Sequence, residues 1–129
     1  MTQLARGSFD VKLNPQTSYE ETIGRMSIDK EFRGDLQGTS RGEMLGIMGT
    51  VKGSGGYVAM ERVNGNLSGR SGTFVLQHSG ANRKGESRMT VTVVPDSGTA
   101  QLVGLEGTMI ITVENGQHFY SFEYSLPGE

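Results

Sequence analysis

The chain contains no cysteine, so disulfides, thiolate nucleophiles and zinc–thiolate sites are excluded at once. It has no tryptophan, only 3 prolines, and a net charge of −2. Basic residues are scattered, the densest cluster being Arg83-Lys84. That pattern gives no electrostatic footprint for nucleic acid or for an anionic membrane. No apolar run is long enough to span a bilayer, and the opening Met1-Thr2-Gln3-Leu4-Ala5-Arg6 lacks the apolar centre of a signal peptide. The expectation is a soluble, cytoplasmic protein, in which Asn66-Leu67-Ser68 matches a glycosylation acceptor only by chance. Gly53-Ser54-Gly55-Gly56 lacks the Gly-Lys-Ser/Thr ending of a phosphate loop. No serine stands in a Gly-x-Ser-x-Gly elbow either.

Glycine is what the chain has in excess, 20 in 129 residues, against a hydrophobic content of 34%. Spread among β-branched residues and without proline, glycine points to turns, bulges and bends in β structure. Residues 1–129 are expected to form one domain, long enough for a single core.

Alternating apolar and polar residues mark strands, because successive side chains point to opposite faces. The clearest is Gly72 to Gly80, where Phe74, Leu76 and His78 share a face. Residues 8–13 place Phe9, Val11 and Leu13 together, and Asn14-Pro15 is expected to end that strand. Residues 16–24 read as a loop. Arg25 to Arg33 alternates again, with Met26, Ile28 and Phe32 on one side. Asp35 to Met48 carries Gly38, Gly42 and Gly46, a helical spacing on paper. Each glycine costs a helix about 1 kcal/mol, so a bent strand is expected instead. Tyr57 to Val63 is extended and Asn64-Gly65 reads as a tight turn or bulge. Ser87–Val94, Thr108–Glu114 and His118–Leu126 complete the set, the last two joined by the hairpin dipeptide Asn115-Gly116. Between them, 99–105 reads as one short helical turn capped by Ser97 or Thr99. About eight consecutive antiparallel strands with no βαβ unit predict an all-β fold, a single closed antiparallel barrel.

Two stretches are more specific than pattern. Tyr57-Val-Ala-Met-Glu-Arg-Val63 with Gly69-Arg-Ser-Gly-Thr-Phe-Val-Leu-Gln-His-Ser-Gly80, and then Ser97 to Thr108, resemble a family of small bacterial proteins of unknown function. The resemblance covers nearly the whole chain. The second stretch also looks like the glycine-rich corner of plant allene oxide cyclases and dirigent proteins. What this implies is an eight-stranded barrel of the allene oxide cyclase type without an assigned activity. The plant enzymes use an apolar lumen, no metal and no cofactor, and are commonly oligomeric. None of their catalytic residues aligns here, so no cyclase activity is transferred.

The chemical candidates are few. Glu61 shares parity with Tyr57, Ala59 and Val63, which points it at the lumen, where desolvation would suit a general acid or base. It would equally serve as partner to Arg62, Arg70 or another base, fixing barrel register. His78 is either a proton shuttle or a hydrogen-bonded core histidine. His118, beside a turn, is expected to be exposed. Two histidines without ligand spacing give no metal site, and no cofactor is expected. Tyr120 and Tyr124 share the apolar face of the last strand, where core packing with one hydrogen bond each competes with lining a pocket. The 7 methionines, among them Met26, Met44, Met60, Met89 and Met109, suit an adaptable ligand surface or ordinary core filling.

The leading expectation is a barrel binding a small, largely apolar ligand in its lumen near Leu76. Glu61, Phe74, Leu76, His78, Tyr120 and Tyr124 would be its site residues. The alternatives are a cofactor-free isomerase or cyclase using Glu61 and His78, and a purely structural self-associating barrel. Outward apolar positions such as Val58, Met60, Val75 and Ile110 predict a homodimer or homotrimer.

Overall fold

The computed structural model describes residues 2–128. Eight strands follow one another: β1 (Gln3–Gln16), β2 (Gly24–Gly34), β3 (Leu36–Met48), β4 (Gly55–Leu67), β5 (Arg70–Arg83), β6 (Glu86–Val93), β7 (Glu106–Glu114) and β8 (Gln117–Ser125). Each pairs antiparallel with the next, and β8 returns to β1, closing the barrel. The sole helical piece among the described residues is a 3-10 turn, Ala100–Leu102, inside the span expected for one. No helix among them is long and apolar enough to cross a membrane.

Several boundaries differ from the sequence reading, each for a local reason. β1 does not stop at Asn14-Pro15: Asn14, Pro15 and Gln16 still pair with Ser27, Met26 and Arg25. Pairing of β1 with β8 ends at Phe9–His118, so Pro15 lies on a free strand edge, where a missing N–H is tolerated. Asn64-Gly65 is not a turn, because both residues pair on both sides, Asn64 with Thr39 and Thr73. The chain reverses instead at Ser68-Gly69, whose φ angles of 47° and 95° are those of a two-residue hairpin turn. Asn115-Gly116 turns as expected, at φ 51° and 79°. Neither Ser97 nor Thr99 caps the 3-10 turn with its side chain. Their hydroxyls instead accept the Val75 and Thr73 backbone N–H groups at 3.0 Å each, fastening the 94–105 connection along β5.

Alternation decides what fills the barrel. The inner face of β3 carries Gly38, Gly42 and Gly46, so the four-residue spacing is an inward glycine row rather than a helix signal. At Gly42 the neighbouring strand comes so near that a Cβ would stand 2.6 Å from Glu61 Cα.

The two ends of the barrel are unlike. At one end lie the β2–β3 and β4–β5 turns, the start of β1, the end of β8 and the 94–105 connection. Leu36, Leu67, Leu102, Leu105 and Leu126 are buried there, and with Phe74, Leu76 and Phe122 they belong to one core. That end is plugged. At the other lie the β1–β2, β3–β4, β5–β6 and β7–β8 connections, with no comparable plug. Among the described residues, β6 and β7 pair at the single position Thr92–Thr108.

Candidate functional site

The open end forms a cup of about 700 Å³. Its apolar wall comes from Met26, Met44, Ile47, Met48, Tyr57 and Met89, with glycines of β2–β5 between them. Register brings these together from five strands. Met26 pairs directly with Met44, Gly46 with Tyr57, Tyr57 with Gly80, and Gly80 with Met89. A Cβ on Gly80 would collide with the Tyr57 ring, so the bare glycine lets that ring lie across the cup floor. The Tyr57 hydroxyl reaches Met89 Sδ at 2.9 Å. Burial raises the Tyr57 pKa above its ordinary value, and the negative charge of Glu61 adds to the effect.

Beneath Tyr57 lies a polar cluster in an otherwise apolar interior. Lys30 Nζ donates to Glu61 Oε2 at 2.8 Å, and His78 Nε2 meets the same oxygen at 2.8 Å. A carboxylate only accepts, so His78 carries its proton on Nε2. Glu61 is 1% exposed, His78 5% and Lys30 8%. Burial alone would raise the Glu61 pKa. The His78 hydrogen bond and the Lys30 charge outweigh it and hold the carboxyl below its ordinary value. Lys30 Nζ also stands 4.7 Å from the Phe9 ring centre and 5.8 Å from that of Phe32, a favourable setting for a buried ammonium. Among the described residues, Glu61 Oε1 and Ser40 Oγ are buried without a hydrogen-bonding partner.

The sequence-predicted residues are therefore only partly together. Glu61 and His78 do meet, as parity suggested. Phe74 and Leu76 are fully buried in the core, not on the wall of an open lumen. Tyr120 accepts the Leu36 N–H at 2.8 Å and lies 2.9 Å from the Arg33 carbonyl. Tyr124 donates to Gln3 Oε1 at 3.2 Å. Both hydroxyls are thus engaged toward the plugged end. None of the six lines the cup. His118 is not exposed but half-buried against Phe9, with ring centres 5.2 Å apart. Arg62 is exposed; the base that meets Glu61 is Lys30. Sequence reasoning missed Lys30, although its place between Ile28 and Phe32 already gave it the inward parity. No group of three or more His, Asp or Glu able to hold a metal occurs among the described residues.

The family described as "Protein of unknown function (DUF3224)" matches residues 5–124. The chain is also similar to a solved protein of unknown function from that family, from Shewanella oneidensis MR-1. The two share 49% identity at a TM-score of 0.95, with 100% of each chain covered. No curated protein matches. With its match spanning 5–124 and that structural likeness over the full chain, the protein belongs to the DUF3224 family of unknown function.

Proposed function

We propose that this barrel is a binding module for a small, largely apolar molecule, held in the open cup rather than deep in the lumen. The observation that carries the reading is the cup itself: about 700 Å³, walled by four methionines and Tyr57. That volume falls in the range of drug-sized ligand pockets. Thioethers are flexible and polarisable, so such a wall adapts to ligand shape. Uptake of a hydrophobic fluorophore such as phenylnaphthylamine tests it. Met26→Trp should fill the cup and abolish uptake while the protein stays folded. Unchanged uptake by a folded Met26→Trp would move the site elsewhere. Leu76→Trp is a poor substitute, because Leu76 is 0% exposed and a larger ring there would overpack the core.

The isomerase reading draws on the hydrogen-bonded Glu61–His78 pair. Against it, neither group lines the cup, and a reacting atom must come within hydrogen-bond reach of an acid or base.

A further inference from the structure

At the open end, the β3–β4 connection and the β5–β6 turn are fastened to each other. Gly85 N–H donates to the Gly53 carbonyl and Lys84 N–H to Ser54 Oγ, both at 3.0 Å. Within the first connection, Gly49 N–H donates to the Ser54 carbonyl at 2.7 Å. Together they make one lobe on the β3–β6 side of the cup.

The lobe is amphipathic. Its apolar side chains Ile47, Met48, Val51 and Met89 are between 42% and 76% exposed, whereas the leucines of the plugged end are buried. Ile47, Met48 and Met89 also line the cup, so the lobe is the cup's lip. Residues 49–54 and 83–88 carry Lys52, Arg83, Lys84 and Arg88 against a single acid, Glu86. Glu20 and Glu21 stand apart on the β1–β2 connection, and Glu114 beside the β7–β8 turn. These bases look scattered along the chain, and the fold gathers them. The net charge of −2 does not cancel a local excess, because at physiological salt a charge is felt over only about 8 Å.

We infer that this lip is a docking surface for an anionic phospholipid bilayer, against which the cup takes up or releases its apolar ligand. The inference rests on the cup being the binding site. Exposed apolar side chains enter the headgroup region while adjacent bases meet lipid phosphates, and the two effects add. A ligand that moves directly between bilayer and cup never exposes its apolar surface to water. That continuity of lip and cup wall favours a bilayer over a protein partner. The bases sit on one side only, so the barrel leans on its β3–β6 side and keeps Glu20 and Glu21 off the surface.

Co-sedimentation of the full chain with vesicles tests this, using phosphatidylcholine alone and phosphatidylcholine mixed with phosphatidylglycerol. Wild type should bind the mixed vesicles about tenfold more strongly or better, and added salt should erase the difference. Lys52→Gln/Lys84→Gln should weaken that binding about tenfold or more, since each base near such a surface is worth about fivefold. Val51→Asp should weaken it as well. Lys52, Lys84 and Val51 are not among the residues lining the cup, so both variants should take up phenylnaphthylamine in solution as wild type does. Lys12 and Arg41 flank Asp29 on the barrel wall, and Lys12→Gln/Arg41→Gln should leave vesicle binding unchanged. An equal loss there would show a general charge effect and overturn the lip. If wild type takes up the probe but binds neither vesicle, the bilayer is overturned as partner, a protein takes its place as the candidate, and the cup reading stands. If wild type takes up no probe, the cup reading fails and the loading route falls with it.

Discussion

Glu61 decides most at the scale of single residues. A buried ion pair contributes little over an apolar replacement, but removing one partner strands a charge. Glu61→Gln leaves the Lys30 ammonium, 8% exposed, without its counter-charge and is expected to cost about 3–5 kcal/mol in urea unfolding. The double variant Lys30→Met/Glu61→Leu should recover most of that loss, because it removes both charges and keeps the volume. A double variant as unstable as Glu61→Gln would mean the pair is more than local charge balance. The same carboxylate sets an acid limit. Its folded pKa lies below the ordinary 4.5, so the unfolded chain binds the proton more readily. This contribution is complete above 4.5 and is lost as the pH falls through the lower folded value. The double variant's stability should therefore vary less with pH across that interval than that of wild type. Equal slopes would show that Glu61 is not the group responsible.

Among the elements, β3 carries the most information, since its inner glycines do different work. At Gly42 a Cβ would stand 2.6 Å from Glu61 Cα, whereas at Gly46 the nearest atom, Tyr57 Cβ, is 3.4 Å away. Gly42→Ala must push β3 off β4 and should destabilise by about 2 kcal/mol or more, while Gly46→Ala should cost well under half of that. Thermal unfolding of the two variants compares them directly. Similar losses would mean that close approach is not why glycine stands at Gly42. The same strand shows why a helical spacing misleads. Every fourth residue returns to one face in a strand as well as nearly so in a helix, and only cross-strand pairing tells the two apart.

For the whole molecule, the outer face of β3 and β4 is the open question. Leu45 pairs with Val58, and Met60 extends the same outward row; the three are between 44% and 53% exposed. A dimer or trimer burying this face is the expected outcome, since monomers rarely show contiguous apolar patches of this kind. Light scattering at high micromolar concentration should give a mass above one chain. Val58→Lys/Met60→Lys should return it to one chain. A monomeric wild type would remove the expectation.

Strand identity, the number of strands and the all-β class were legible in the sequence. Alternation is a local property, and a chain with so few helix-compatible segments has little else to become. The inward parity of Glu61 and His78 was legible for the same reason. So was Asn115-Gly116, because a positive φ at both turn positions is a demand on residue type alone. Asn64-Gly65 shows the limit: the same dipeptide stays extended once strands on both sides hold its backbone. Which methionines meet was decided only by register. Met26 and Met44 are 18 positions apart in sequence yet face each other across one pair, while Met60 points outward and Met109 is buried in the core. The tertiary structure alone decided which end of the barrel is open. That depends on where Leu102 and Leu105 settle, and their connection is held to β5 by the hydroxyls of Ser97 and Thr99 rather than by any periodicity of its own. Parity places a side chain inside a barrel; only closure and its plug say how deep it lies.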